Sequence, residues 1–157
     1  IVTAANYNAI GQVVIAGHAA AVDRALDLAK QAGAKIAKRI AISVPSHCDL
    51  MQPAAKLLAK QLENITFSTP QIAVVNNVDV TVKSDAFAIK DTLVRQLSNP
   101  VRWVETIQLM AKQGVEIIVE CGPGKVLAGL NKRINADIPT ISIGDVASFQ
   151  DALQNVN

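Results

Sequence analysis

Two histidines, two cysteines and the absence of any Gly-x-Ser-x-Gly segment bound the chemistry open to this chain. His47 has the most suggestive surroundings, in Ser43-Val44-Pro45-Ser46-His47-Cys48-Asp49. The heptapeptide follows an alternating apolar run and precedes a strongly helical one, so it reads as a strand-to-helix loop. Pro45 biases Val44 toward extended backbone, and Asp49 is a candidate helix cap. A histidine in that loop sits at a strand's carboxyl edge with its ring free for proton transfer. The competing reading is a partly buried histidine that closes a turn. Ser46 and Cys48 flank it, but neighbours on extended backbone point in opposite directions, which argues against either as the nucleophile. A nucleophile must come from elsewhere, because the nucleophile elbow of α/β hydrolases has no counterpart in these residues.

The other candidates are weaker. Gly122-Pro123-Gly124-Lys125 opens a helix and so presents amides to an anion. A phosphate loop needs four residues between its glycines and a Ser or Thr after the lysine. Here only Pro123 intervenes and Val126 follows, so a tight strand-to-helix turn is expected. His18, at the start of a polar segment, reads as a surface histidine. Asn6 and Asn8 flank Tyr7 in an expected turn, where either turn chemistry or a ligand-facing role is open. Lys35, Lys38 and Arg39 form either a solvated face or a docking patch. Cys48 and Cys121 lack metal-ligand spacing, and reduced thiols of a cytosolic protein are the default reading.

The elements that must position these residues follow from periodicity. Apolar runs at 1–5 and 12–16, joined by an Asn- and Gly-containing link, suggest a hairpin. Residues 19–32 carry Val22, Ala25, Leu26 and Ala29 on one stripe with Gly33 as a stop, the pattern of a helix. Residues 35–44 read as a strand with Ile36, Ile40 and Ile42 among cations. A helix at 50–63 places Leu50, Ala54, Leu57, Leu58 and Leu62 on its inner face. A short strand is expected at 71–75, then a helix capped by Ser84 or Asp85 and running through Leu97. Asn99-Pro100 should open the next helix, with Pro100 in first position and Val101, Val104, Ile107 and Met110 inward. An apolar strand at 115–120 leads to a helix at 126–134 marked by Val126, Leu127, Leu130 and Ile134. A strand at 139–143 and a helix at 147–153 follow. Strands alternating with helices argue for an α/β class with a mostly parallel sheet.

Composition narrows the function. The chain has 157 residues, 50% hydrophobic and 3% aromatic, so its core must be aliphatic. A net charge of +2 is too mild for a nucleic-acid footprint, and no partner of that class is expected. No apolar run reaches the roughly 18 residues of a membrane span, so no membrane partner is expected. The chain begins at Ile1 within a strand pattern and without methionine, which leads us to expect a fragment.

Five ordered motifs resemble one family: Gly11-Gln12-Val13-Val14-Ile15-Ala16-Gly17, Ser43-Val44-Pro45-Ser46-His47, Val75-Asn76-Asn77-Val78, Gln96-Leu97-Ser98-Asn99-Pro100-Val101-Arg102-Trp103 and Glu120-Cys121-Gly122-Pro123-Gly124-Lys125-Val126-Leu127. The family is the malonyl-CoA:acyl-carrier-protein transacylases of bacterial fatty-acid synthesis, and the match is to its C-terminal half. The resemblance implies the C-terminal part of an α/β-hydrolase-like core (residues 40–157), preceded by the C-terminal part of a ferredoxin-like small subdomain (residues 1–39). It implies His47 as catalytic base and the Gln96 main-chain carbonyl as the group that orients it. It offers Asn6 and Asn8 as substrate-binding residues and Lys35, Lys38 and Arg39 as carrier-docking residues. Malonyl-CoA is the implied substrate, acyl carrier protein the implied partner and the cytoplasm the implied location; no cofactor or metal is called for. The family's Gly-His-Ser-x-Gly elbow lies in the other half, so this chain alone is expected to be inactive without it. Two alternatives stand beside this reading: a non-catalytic carrier-binding fragment, and an acyltransferase domain of a polyketide synthase.

Overall fold

The computed structural model describes residues 1–155, an α/β arrangement of helices with three small two-stranded sheets. The chain divides into two units, one of residues 1–7 and 13–102, the other of residues 8–12 and 103–157.

The first unit begins with the arms of a hairpin, β1 (Val2–Ala9) and β2 (Gln12–Gly17), whose tip counts with the second unit. Ile10 and Gly11 make the turn, and Gly11 adopts φ +73°, which a glycine reaches without strain. Asn6 and Asn8 therefore lie within β1 and not in the turn expected for them. The strand extends past them because Ala5 and Ala9, one face apart from the asparagines, are buried at 2% and 4% exposure. Helix α1 (Ala19–Gln31) follows and ends at Gly33, φ +88°.

Residues 35–44 form no strand among the described residues, contrary to expectation. A strand needs a partner for its N–H and C=O groups, and none of the three sheets takes this segment in. A single turn, Asp49–Met51, leads into α2 (Gln52–Glu63), which accommodates Pro53 in its first turn. Ala55 and Leu62 are buried, whereas Leu57 faces outward despite its spacing. The next strand is later and shorter than the expected 71–75: β3 (Val75–Asn76) pairs antiparallel with β4 (Thr81–Val82). Asp85 caps α3 (Ala86–Arg95) by accepting from the Ala88 amide at 2.9 Å. Thr92, fully buried on α3, gives its hydroxyl to the Ala88 and Ile89 carbonyls, so no polar atom is stranded.

Pro100 does not open a helix. Val101 instead exchanges hydrogen bonds with β1, donating to the Ala5 carbonyl at 2.8 Å and accepting from the Tyr7 amide at 2.9 Å. That extended stretch delays α4 (Trp103–Lys112).

The second unit places Ile107 of α4 at its core with no exposed surface. Strand β5 (Ile118–Cys121), helix α5 (Val126–Ile134) and β6 (Thr140–Ile143) form one βαβ unit, with Ile118 opposite Thr140 and Cys121 opposite Ile143 in parallel register. Val126 faces outward, whereas Leu130 is buried. Asn131, 1% exposed, accepts from the Trp103 indole at 2.9 Å and donates to the Thr140 hydroxyl at 3.2 Å. Helix α6 (Val146–Asn155) packs on β6. No helix of the described residues is long and apolar enough to cross a membrane.

Candidate active site

His47 occupies a left-handed backbone position, φ +63°, in the turn after Pro45. Histidine is among the few non-glycine residues enriched there. The left-handed backbone at His47 interrupts the extended run expected there, so side-chain alternation does not govern this loop. Cys48 is buried, and its thiol donates to the Pro45 carbonyl at 3.1 Å. Asp49 is not a side-chain cap; the short turn it begins is preceded by Cys48 in extended geometry.

The end of α3 explains why the histidine is held. Carbonyls past the last helical turn have no following amide to accept from and must find other donors. His47 satisfies two in succession. Its ring Nδ1 donates to the Gln96 carbonyl at 2.8 Å, and its main-chain N–H donates to the Leu97 carbonyl at 3.0 Å. Because a carbonyl can only accept, the proton must sit on Nδ1. Nε2 is left with a lone pair in the neutral ring, the form of a general base. The acceptor is uncharged, so it orients the ring without supplying the counter-charge of a carboxylate.

The surrounding loop is tied down locally. Gln52 at the start of α2 donates to the Ser98 hydroxyl at 3.0 Å, and Asn99 donates to the Arg95 carbonyl at 2.7 Å. These residues carry no chemistry visible in sequence; only their position next to Gln96 marks them.

The remaining candidates are dispersed. Asn6 forms an isolated bridge with Val101, while Asn8 lies farther along β1, and both are half-buried. Lys35 and Lys38 are exposed on the irregular segment after α1. Arg39 is not a free cation, since it forms a fork with Asp23 at 2.7 and 2.5 Å. Hydrogen bonding to that guanidinium holds the Asp23 carboxyl below the ordinary range. The glycine turn at 122–124 offers no anion site. Glu120 reaches over it, and its carboxylate accepts from the Leu127 and Ala128 amides at 3.0 and 2.9 Å. Among the described residues no group of three or more His, Cys, Asp or Glu is placed to hold a metal.

Residues 1–143 match the acyl transferase domain family. The chain is 58% identical over 149 residues to the malonyl CoA-acyl carrier protein transacylase of Haemophilus influenzae, covering 95% of this chain and 48% of that protein. It is 51% identical over 154 residues to the Escherichia coli K12 protein of the same name, covering 98% and 50%. Among solved structures, a malonyl-transacylase in complex with its type II PKS acyl-carrier protein superposes with a TM-score of 0.97 at 54% identity, covering 99% of this chain and 50% of that one. An acyl carrier protein S-malonyltransferase from Vibrio cholerae gives 0.93 at 53% identity, covering 96% and 49%. The chain thus spans about half the length of the relatives it matches.

Proposed function

Because the chain belongs to the acyl transferase domain family, we propose that it supplies the histidine-bearing half of a malonyl-CoA:acyl-carrier-protein transacylase. The observation that carries this reading is the 2.8 Å hydrogen bond from His47 Nδ1 to the Gln96 carbonyl, which leaves Nε2 free. The names of the relatives support the choice of acyl donor and acceptor.

In this mechanism a serine from the other half attacks the malonyl thioester carbonyl while His47 Nε2 takes its proton. The tetrahedral adduct collapses, the carbon–sulfur bond breaks, and His47 returns the proton to the departing CoA thiolate. The carrier's phosphopantetheine thiol then gives its proton to His47 and attacks the acyl-serine. The serine oxygen leaves and recovers that proton. One residue so serves both halves of a ping-pong cycle, and no cofactor is needed.

We assign residues 1–39 to the end of a ferredoxin-like small subdomain and residues 40–157 to an α/β-hydrolase-like core. Asn6 and Asn8, on one face of β1, are assigned to the substrate side. Lys35 and Lys38 are assigned to steering of an acidic carrier, with Arg39 a weaker contributor because Asp23 already engages it.

The test is reconstitution. The chain is mixed with a polypeptide covering the other half of a relative, and malonyl transfer from malonyl-CoA to the carrier thiol is followed by mass spectrometry. Transfer is expected, with a loss on the order of 10²–10⁴-fold in His47→Ala. An assembled His47→Ala protein that transfers at the parent rate would overturn the assignment. Carrier binding without transfer by the assembled parent would favour a non-catalytic carrier-binding module.

A further inference from the structure

The segment Val75-Asn76-Asn77-Val78 performs no chemistry of its own, yet the loop it opens reaches the group that holds His47. Val80, a β-branched residue, sits at φ +57°, a conformation that persists only where neighbours over-determine it. Its N–H donates to the Asn76 main-chain carbonyl at 2.9 Å, and Asn76 Nδ2 donates to the Thr81 carbonyl at 3.1 Å. The turn aims Asp79 at the end of α3. Asp79 Oδ1 accepts from the Thr81 hydroxyl at 2.7 Å, and Oδ2 accepts from Arg95 Nη2 at 2.8 Å, with Lys83 Nζ at 3.4 Å.

Arg95 is the last residue of α3, directly before Gln96, and its Nε also engages Asp91 at 2.6 Å. Asn77 closes the other side of the loop, its carbonyl accepting from the Arg102 amide at 3.2 Å. The chain on both sides of Gln96 is therefore tied to this one loop. Burial opposes ionisation of Asp79, but the Thr81 hydroxyl, Arg95 and Lys83 outweigh it and hold its carboxyl at about 2. The anion is thus present throughout the neutral range.

We propose that Asp79 is a positioning residue: through Arg95 it holds the end of α3 so that the Gln96 carbonyl faces His47 Nδ1 and keeps the ring in its Nδ1–H form. The consequence for catalysis rests on reading His47 as the base; the consequence for the ring does not. The experiment therefore reads the ring. The full chain is labelled with ¹⁵N-histidine, and the tautomer ratio of His47 is measured by NMR, with His18 as internal reference.

Asp79→Asn and Arg95→Met should each lower the His47 Nδ1–H to Nε2–H ratio by roughly three- to tenfold, the loss expected when one hydrogen bond of ordinary strength loosens. The double variant should add little to either single one, since both act through one contact. Asp79→Glu should restore part of the ratio. Lys83→Met removes a partner of Asp79 while leaving the Asp79–Arg95 contact in place, and should leave the ratio unchanged. If Asp79→Asn does not fold, Arg95→Lys is read in its place, because it keeps the charge and loses the fork. An unchanged ratio in folded variants at Asp79 or Arg95, or an equal change in Lys83→Met, overturns the proposal. In an assembled transacylase the same variants should lower kcat and leave KM for malonyl-CoA unchanged, which separates failure of this inference from failure of the functional reading.

Discussion

At the scale of single residues, His47 and Gln96 contribute through different atoms. In the proposed mechanism His47 acts through its ring, whereas Gln96 contributes a main-chain carbonyl that any residue possesses. Gln96→Ala keeps that carbonyl, and alanine suits the end of a helix. In the assembled enzyme it should therefore retain the transfer rate to within about threefold, while His47→Ala is severe. Single-turnover transfer measured side by side on the two variants checks this. A loss in Gln96→Ala comparable to that in His47→Ala would show that the amide side chain participates.

At the scale of elements, the βαβ unit shows how a glycine turn that resembles a ligand loop can be internally satisfied. Glu120 at the end of β5 caps α5 across the turn, and the Ser142 hydroxyl of β6 adds a third donor at 3.2 Å. The Ala128 and Leu127 amides, followed in smaller measure by Ser142, hold the Glu120 carboxyl below its ordinary 4.5. Because the folded-state value is depressed, the stabilisation is complete above the ordinary value and is lost as pH falls through the folded one. Glu120→Gln should therefore be less stable than the parent at pH 7, with the gap narrowing as the medium becomes acid. Denaturant unfolding at a series of pH values from neutral to about 3 measures it. A gap independent of pH would mean that the cap acts by shape and not by charge. The three-and-four spacing located α5 at its observed bounds but said nothing of Glu120, since a carboxylate reaching across a turn has no signature in helical periodicity.

At the scale of the molecule, three of the most exposed apolar residues lie on chain outside any helix or strand. Ile36, Ile42 and Ile72 are 77%, 68% and 81% exposed. Exposed apolar surface of this kind marks an interaction site or an aggregation liability. The relatives are about twice as long as this chain, so under the proposed function the occupant is a polypeptide covering the part of the relatives that this chain does not match. The isolated chain should bind an environment-sensitive apolar dye such as anilinonaphthalene sulfonate, and an added polypeptide covering that half should suppress the fluorescence. Dye binding that is unchanged once the two polypeptides co-purify would place their contact elsewhere.

The sequence by itself determined the α/β class, most helix positions, the family and the pairing of His47 with Gln96 as candidates. Apolar periodicity, stop residues and ordered motifs are local properties of the chain, and they survive without knowledge of what packs where. Tertiary structure alone decided the rest. Residues 35–44 have the composition of a strand, but a ladder needs a neighbour, and none is supplied by the described residues. Pro100 and Val101 carry helix-start residues, yet pairing with β1 holds them extended. The left-handed turn at His47 brings its ring to Gln96, 49 positions away, and Asp79 reaches Arg95 16 positions along the chain. Such contacts arise from the fold's geometry, because long-range hydrogen bonds and charge pairs leave no period in the sequence that makes them.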